Sequence, residues 1–200
     1  MYHPQMRLVL ASASPRRADL LRAAVYRFEI DPAETDESVR PGESPADYAL
    51  RVAREKAARV SQRHPDAFVL GADTIVVLDG EILGKPIDAA DATRILRLLS
   101  ARTHEVLTGI ALRRGALEGS HVEVSRVHFA RLSPEEIRWY VESGEPADKA
   151  GAYAVQGLAG RFVERIEGSC ANVIGLPVAR VYRLLRELGF SEAPSRPGDD

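Results

Sequence analysis

Four short clusters of charged and small residues are the places in this sequence where chemistry could occur. They are Ser-Ala-Ser-Pro-Arg-Arg at 12–17, Arg-Glu-Lys at 54–56, Gly-Ala-Asp-Thr at 71–74 and Gly-Lys-Pro at 84–86. The cations that they offer to a ligand are Arg16, Arg17, Lys56 and Lys85. Asp73 adds a carboxylate, and the small residues allow a ligand to approach the backbone closely. A nucleoside triphosphate with its metal ion needs this combination of groups.

The first cluster combines a helix start with two arginines. Ser14 followed by Pro15 is typical of a helix N-terminus, with the serine side chain as the cap and the proline in the first turn. Backbone N–H groups at such a terminus bind anions, and Arg16 and Arg17 add charge-assisted hydrogen bonds to phosphate oxygens. An ordinary capped helix with two solvated arginines has the same sequence, so both interpretations stay open here.

Asp73 and Lys56 could act on a phosphoryl group, although each also has an ordinary explanation. Asp73 follows one predicted strand and precedes another, where a carboxylate near cations can orient a metal ion or deprotonate a water molecule. Lys56 lies on a predicted helix beside Val52, so its ammonium group could extend from the edge of the core into a cleft. The alternatives are an aspartate that caps a local amide and a lysine on a solvated helix face.

Three further candidates come from predicted loops. Lys85 lies between glycine and proline in a stiff turn, and Glu37 lies in the polar segment 31–43 as either a metal ligand or a solvated acid. Gln156 lies in the glycine-bounded segment 148–157. Its amide carries a donor and an acceptor side by side, complementary to the O4 and N3–H edge of uracil or thymine. A flipped amide would match cytosine instead, so selectivity requires a fixed orientation.

The elements predicted around these residues alternate between strands and helices. Strands are predicted at 7–11, 28–30, 68–71, 74–78, 81–83, 104–112, 120–132 and 161–166, and helices at 14–24, 44–63, 88–100, 133–142 and 177–188. Ser133 begins a capping box, and Asp-Gly at 79–80 is typical of a hairpin turn. This order predicts an α/β fold with a mixed, elongated and twisted sheet flanked by helices, in which two lobes surround a central cleft.

Composition and charge narrow the class of protein. The chain has 200 residues, of which 45% are hydrophobic and 28% are charged, as in ordinary globular proteins. We assign residues 1–190 to a single domain and 191–200 to a frayed polar tail. The formal net charge of −2 gives no overall attraction to nucleic acid or to an anionic membrane.

The cysteine and histidine content points to a reducing compartment without zinc. The single cysteine, Cys170, excludes an internal disulfide, and we expect a buried thiol there. The five histidines are scattered without the spacing of zinc ligands. No signal peptide and no stretch long enough to span a bilayer is predicted, so we expect a cytoplasmic protein.

The ordered series of clusters resembles the Maf family of nucleoside triphosphate pyrophosphatases. The similarity extends from about residue 8 to residue 188 and includes Asp-Glu at 36–37, the segment 148–157 and Gly-Leu-Pro at 175–177. The resemblance implies a fold like that of inosine triphosphate pyrophosphatase. It also implies hydrolysis between the α and β phosphates, which gives a nucleoside monophosphate and pyrophosphate.

The resemblance implies a role for each candidate residue. Asp73 would be the general base, and Glu37 would orient a water molecule or hold a metal ion together with Asp73. The residues implied to contact the phosphates are Ser12, Arg17, Lys56 and Lys85, of which the two lysines would also assist catalysis. The residues implied to specify the substrate in the subgroup that acts on dTTP and UTP are Arg16, Thr74 and Gln156. The subgroup that acts on 7-methyl-GTP looks different at 71–74 and 150–153.

The remaining expectations concern cofactor, partners and rival functions. A site rich in Asp and Glu favours a hard divalent cation, Mg²⁺ or Mn²⁺, which would arrive partly bound to the nucleoside triphosphate. The resemblance also suggests a homodimer. Two alternatives stay open: a purine pyrophosphatase of the inosine triphosphate type, and a nucleotide-binding regulator of septum formation with little turnover.

Overall fold

The computed structural model describes residues 6–191, and these form one mixed sheet flanked by helices. The strands are β1 (Leu8–Leu10), β2 (Glu29–Ile30), β3 (Phe68–Leu78), β4 (Glu81–Leu83), β5 (Thr103–Arg114), β6 (Leu117–Phe129) and β7 (Val163–Glu167). The helices are α1 (Pro15–Ala23), α2 (Pro45–Ser61), α3 (Ala89–Leu99), α4 (Pro134–Glu142), α5 (Cys170–Ile174) and α6 (Val178–Glu187). Short 3₁₀ turns occupy Glu145–Asp148, Ala150–Ala152 and Leu158–Phe162.

The sheet has the strand order β2-β1-β3-β5-β6-β7, and β4 pairs with β3 as well. β1 lies parallel to β2 and β3, whereas the other pairings are antiparallel. The predicted hairpin is confirmed, since Asp79 and Gly80 both adopt positive φ angles between β3 and β4. Such a turn matches the twist of the strands that it joins. The predicted mixed α/β sheet is therefore confirmed.

One edge of β3 is interrupted, and this interruption creates the cleft. β1 pairs with β3 at residues 68–70 and β4 pairs with it at residues 76–78. The opposite edge of β3 pairs with β5 continuously from residue 69 to residue 77. Among the described residues, 71–75 therefore have a strand on one side only. A ligand can approach this stretch of β3 from the open side.

Apolar residues form a separate cluster on each side of this interruption. The cluster near β1, α1 and α6 includes Leu10, Leu21, Leu70, Ala72 and Val181. The cluster near α3 and α4 includes Val76, Ile95, Leu96, Tyr140 and Phe162. On β3, Ala72 belongs to the first cluster and Val76 to the second, so Thr74 lies between the two. This arrangement confirms the prediction of two lobes around a central cleft.

Helix α2 packs unusually close to the other face of the sheet. A Cβ atom at Gly71 would lie 2.2 Å from the carbonyl oxygen of Ala53, and one at Gly109 would lie 2.2 Å from that of Ala49. Any side chain at these two glycines would collide with the helix backbone. Because α2 lies directly on β3 and β5, its residue Lys56 is held against the sheet.

The prediction of two strands at 68–71 and 74–78 is wrong, because β3 is continuous from Phe68 to Leu78. Gly71 and Ala72 are weak strand formers, yet they pair with Ala111 and Ile110 of β5. Pairing along a whole strand outweighs the local preference of two residues. Asp73 is therefore in the middle of a strand and not at the end of one.

The helix starts predicted at 44, 88 and 133 are confirmed, because each of these residues is an N-cap. Ser44, Asp88 and Ser133 each accept a hydrogen bond from a backbone N–H in the first turn, and Ser133 completes the capping box. The side-chain cap predicted at Ser14 is wrong, because its hydroxyl makes no capping bond. Its backbone N–H donates instead to Ser12 Oγ over 3.3 Å, which turns the chain into α1.

The region after α4 differs most from the prediction. Helix α5 was not predicted, because five residues are too few to show helical periodicity. The strand predicted at 161–166 begins at Val163, since its first residues belong to a 3₁₀ turn. Cys170 begins α5 and is exposed, so the prediction of a buried thiol is wrong. The predicted tail at 191–200 lies, apart from Ser191, outside the described residues.

Candidate functional site

A cleft of about 610 Å³ opens beside the interrupted edge of β3. Its volume lies within the range of small-molecule sites. The candidate residues from the sequence that line it are Ser12, Arg16, Arg17, Glu37, Lys56, Asp73, Thr74, Lys85 and Gln156. These residues come from distant parts of the chain, and the fold brings all of them to one cavity.

Arg17 is a buried cation whose direction is fixed by three hydrogen bonds. Its Nε donates to the carbonyl oxygen of Gly175 over 2.9 Å, and its two terminal nitrogens donate to Ser12 Oγ and Thr74 Oγ1 over 3.0 Å each. A guanidinium group has five N–H bonds, so each terminal nitrogen keeps one for a ligand. Burial lowers the pKa of Arg17, partly offset by Asp73, but arginine remains a cation in proteins.

The N-terminus of α1 lies beside Arg17. Residues 12–16 line the cleft, so the first backbone N–H groups of α1 begin at the cavity. Helix N-termini carry partial positive charge and bind anions. Arg16 is half-buried at the same place, which gives this wall of the cleft two arginines and a helix terminus.

Lys56 joins two carboxylates on the α2 side of the cleft. Its Nζ lies 2.8 Å from Asp73 Oδ1 and 2.7 Å from Glu37 Oε1. Lys56 and Asp73 are each only 7% exposed, so this pairing is shielded from bulk water and stronger than a surface ion pair. Burial opposes ionisation of Glu37, but the hydrogen bond from Lys56 and the charges of Lys56 and Lys85 outweigh it and lower the Glu37 pKa.

Contacts with α2 hold the loop that carries Glu37. The Tyr48 hydroxyl donates to the Glu37 carbonyl oxygen over 2.8 Å, and Arg51 donates to the Ser38 carbonyl oxygen over 2.9 Å. Burial, followed by the nearby carboxylates of Asp73 and Glu37, raises the pKa of Tyr48 to about 12. The phenol therefore stays protonated and remains a hydrogen-bond donor. The loop without regular structure predicted at 31–43 is thus confirmed and is fixed onto the helix.

Lys85 and Gln156 come from two segments that contact each other. Lys85 is exposed in the turn after β4, and Gln156 is exposed on the segment 148–157. The backbone N–H of Gly151 donates to the Gly84 carbonyl oxygen over 3.1 Å. Tyr153 lies buried between them and the core, with its hydroxyl 2.8 Å from His104 Nε2. The cleft therefore has a polar opening with an aromatic residue behind it.

Comparison with known proteins identifies the family of this chain. The model of the family described as Maf-like protein matches residues 7–188. The chain belongs to the Maf family. A protein of Anaeromyxobacter dehalogenans named dTTP/UTP pyrophosphatase is 56% identical over 195 residues, which cover 96% of this chain and 98% of that protein. A protein of Koribacter versatilis with the same name is 52% identical, covering 94% and 97%.

A solved structure of low sequence similarity shares the fold. The HAM1 protein from Coxiella burnetii is 17% identical, with a TM-score of 0.52 over 92% of this chain and 100% of that one. At this identity the likeness concerns the fold alone, and it agrees with the predicted fold class. Among the described residues of this Maf protein, no helix is long and apolar enough to cross a membrane.

The structure adds a fifth cation that the sequence analysis did not single out. Lys149 lines the cleft and forms an ion pair with Asp148. The hydrogen bond from Lys149, with a smaller contribution from Arg16, lowers the pKa of Asp148. The sequence feature that could have indicated Lys149 is the charged pair Asp148-Lys149 at the start of the segment 148–157. In this Maf chain both ends of that segment therefore reach the cleft.

The carboxylates of the cleft fit a metal ion that shares its ligands with the substrate. Within residues 6–191 no group of three or more His, Cys, Asp or Glu side chains could hold a metal ion alone. Glu37 and Asp73 nevertheless converge on the single ammonium group of Lys56, so their oxygens lie close together. Mg²⁺ is commonly bound by one or two carboxylates, with phosphate oxygens and water as its other ligands. The two carboxylates fit such an ion.

Proposed function

We propose that this protein hydrolyses dTTP and UTP between the α and β phosphates, giving the nucleoside monophosphate and pyrophosphate. The observation that carries the proposal is the Asp73 carboxylate in one cleft with the cations Arg16, Arg17, Lys56 and Lys85. The names of the two similar proteins support the same reaction and the same substrates. The cations match the high negative charge of a triphosphate, and in a partly desolvated cleft such charges interact strongly.

Asp73 is the general base of the proposed reaction. Lys56 holds Asp73 Oδ1, and the carboxylate still has lone pairs for the proton of a water molecule. The water oxygen forms a bond to the α phosphorus while its proton passes to Asp73. The bond from the α phosphorus to the bridging oxygen breaks, and pyrophosphate leaves with the electron pair. A general base of this kind contributes about 10²–10⁴-fold to the rate.

Arg17 and Lys85 bind the phosphates and stabilise the leaving group. The fixed guanidinium of Arg17 offers one free N–H on each terminal nitrogen, a geometry that suits two phosphate oxygens. Lys85 is exposed, so its flexible side chain can move to contact the pyrophosphate oxygens as negative charge develops on them. Ser12 supports Arg17 directly, and Arg16 extends the positive wall of the cleft.

A divalent cation, Mg²⁺ or Mn²⁺, is part of the proposal, and Glu37 and Asp73 would hold it. When bound, such an ion polarises phosphoryl oxygens and neutralises their charge. Glu37 is ionised in this site because its pKa is lowered, so it is ready to bind a cation. Its position on a loop fixed by Tyr48 and Arg51 keeps its carboxylate near Asp73.

Gln156 is the proposed reader of the pyrimidine base. Its amide complements the O4 and N3–H edge shared by uracil and thymine, and it lies in the cleft next to Val155 and Tyr153. Arg16 and Thr74, the other residues that the resemblance associates with substrate choice, line the same cleft. The proposed substrate is thus held by its phosphates at one end and by its base at the other.

We also propose that the enzyme is a cytoplasmic homodimer that acts on free nucleotides and not on nucleic acid. The single cysteine and the small net charge support this, as does the family resemblance. Light scattering coupled to size-exclusion chromatography measures the oligomeric state. A monomer at micromolar concentration would contradict the dimer without affecting the proposed reaction.

Product analysis tests the proposed reaction against its two rivals. Purified protein is incubated with dTTP, UTP, CTP and ITP in the presence of Mg²⁺ or Mn²⁺, and pyrophosphate is resolved from orthophosphate. Pyrophosphate with monophosphate from dTTP and UTP is the expected result. A preference for ITP would favour the purine enzyme. Binding of triphosphate without turnover would favour the regulator of septum formation.

A further inference from the structure

The hydroxyl proton of Thr74 is used in a hydrogen bond within the protein. Its Oγ1 lies 3.0 Å from an Arg17 terminal nitrogen, 3.0 Å from Thr108 Oγ1 and 3.3 Å from the carbonyl oxygen of Gly175. A hydroxyl donates one hydrogen bond, and a guanidinium can only donate. The Thr74 proton therefore goes to Thr108 or to Gly175. Thr74 Oγ1 accepts a hydrogen bond from Arg17, and the Thr74 hydroxyl has no proton left to donate to a ligand.

Thr108 continues this series of hydrogen bonds into the core. It lies directly opposite Thr74 on β5 and is 0% exposed. Its Oγ1 donates to the backbone oxygen of Asn172 over 3.2 Å, which leaves its lone pairs free to accept. We assign the Thr74 proton to Thr108 because that contact, at 3.0 Å, is shorter than the 3.3 Å contact with Gly175. Arg17, Thr74 and Thr108 then donate in one direction, an arrangement in which hydrogen bonds strengthen one another.

Asn172 fixes the far end of the series. Its side chain is 0% exposed, and its Nδ2 donates to the carbonyl oxygen of Val106 and to Ser125 Oγ over 3.0 Å each. These contacts attach α5 to both β5 and β6. The chain reaches Gly175, the acceptor for Arg17 Nε, three residues later. Two of the three acceptors of Arg17 thus depend on the contacts around Thr108.

We propose that Thr108 is a positioning residue for phosphate binding, acting through Thr74 to set the direction of the Arg17 guanidinium. Thr108 is not among the residues that line the cleft, so it can affect a ligand only through its neighbours. The inference rests on the proposed function to the extent that Arg17 binds phosphate. It assigns to a fully buried threonine an effect on triphosphate affinity that does not require contact with the substrate.

Isothermal titration calorimetry with inorganic tripolyphosphate in EDTA tests the inference, because this probe has no base and no turnover is needed. The variants are Thr108→Val, which keeps the shape and removes the hydroxyl, and Thr108→Ser, which keeps the hydroxyl. Thr103→Val is the matched control, since Thr103 lies on the same strand, is exposed and contacts His128. If Thr108→Val does not fold, Thr108→Ala replaces it.

We expect Thr108→Val to weaken tripolyphosphate binding by about tenfold, the effect of losing one buried hydrogen bond. Thr108→Ser and Thr103→Val should stay within about twofold of the wild type. In an Arg17→Lys background, Thr108→Val should change the affinity by less than about twofold, because residues that act through one another are not additive. In Thr108→Val, kcat/KM for UTP and kcat/KM for CTP should fall by the same factor as each other, because Gln156, the proposed reader of the base, is unchanged.

Three results would overturn the inference: unchanged affinity in Thr108→Val, an equal loss in Thr108→Ser, or the full loss in the Arg17→Lys background. A wild-type protein that binds tripolyphosphate and cleaves no nucleotide would overturn the proposed function, while the coupling between Thr108 and Arg17 could still be measured. A wild-type protein that does not bind tripolyphosphate would overturn both.

Discussion

Replacing Asp73 with asparagine is the sharpest perturbation of the proposed mechanism. The asparagine side chain would have nearly the same shape, and its oxygen could still accept a hydrogen bond from Lys56. Lys56 also keeps its second partner, Glu37, so the ammonium group is not left buried without a counter-charge. We expect the free energy of unfolding to fall by only about 1–2 kcal/mol, far less than when a buried ion pair loses one partner altogether.

The expected effect on catalysis is much larger. An amide cannot accept the proton of the attacking water, so kcat should fall by about 10²–10⁴-fold, the contribution of a general base. Binding of a non-hydrolysable α,β-imido-UTP should stay the same or become tighter, because one negative charge near the phosphates is removed. Chromatographic product analysis gives kcat, and calorimetry gives the dissociation constant.

A second measurement separates the two proposed roles of Asp73, proton acceptor and metal ligand. If Asp73→Asn only weakened metal binding, a higher Mn²⁺ concentration would restore kcat. We expect no such recovery, and we expect Glu37→Gln, the matched control for metal binding, to recover at least in part. A kcat in Asp73→Asn within about threefold of the wild type, a change of about 0.7 kcal/mol or less in the barrier, would refute the assignment of the general base.

Three other predictions follow from single residues. Burial, with a smaller contribution from His128, lowers the pKa of His104 from 6.5 to about 4. Between these pH values the unfolded chain therefore binds more protons than the folded chain. The free energy of unfolding should fall by up to about 3 kcal/mol as the pH drops from 6.5 to 4. Urea denaturation across this range should show a smaller pH dependence in His104→Gln but not in His121→Gln; equal slopes would contradict the idea. Lys56→Met leaves the carboxylates of Glu37 and Asp73 without the ammonium group between them. The free enzyme should then bind Mn²⁺ about tenfold more tightly, as measured by electron paramagnetic resonance. Unchanged or weaker binding would show that Lys56 does not compete with the ion. Gln156→Ala should reduce the preference in kcat/KM for UTP over CTP, and an unaltered ratio would remove Gln156 from base recognition.

The local parts of the fold could be predicted because their causes are local. The caps at Ser44, Asp88 and Ser133 depend on residues within one turn of each other, and the Asp-Gly hairpin depends on two adjacent residues. Helix α5 and the continuity of β3 could not be predicted, because one is too short for a periodic pattern and the other depends on pairing with β5. The exposure of Cys170 could not be predicted either, because burial depends on the neighbours that the fold places around a residue.

The candidate residues themselves were chosen from the sequence, and all of them line one cleft. Their order along the chain was sufficient to indicate the family, and their types were sufficient to indicate a polyphosphate ligand. The sequence did not indicate Lys149 as a further cation, nor Tyr48 and Arg51 as the residues that fix the Glu37 loop. Those contacts join segments that show no common pattern in the sequence.

The sequence by itself determined the chemistry available to this Maf protein, namely cations, carboxylates and an amide. The tertiary structure alone decided which of these groups touch. Lys56 meets Asp73 because Gly71 and Gly109 let the backbone of α2 approach the sheet closely. Thr74 meets Thr108 because of the register between β3 and β5. Helix approach and strand register depend on the packing of the whole core, and short segments of sequence do not contain that information.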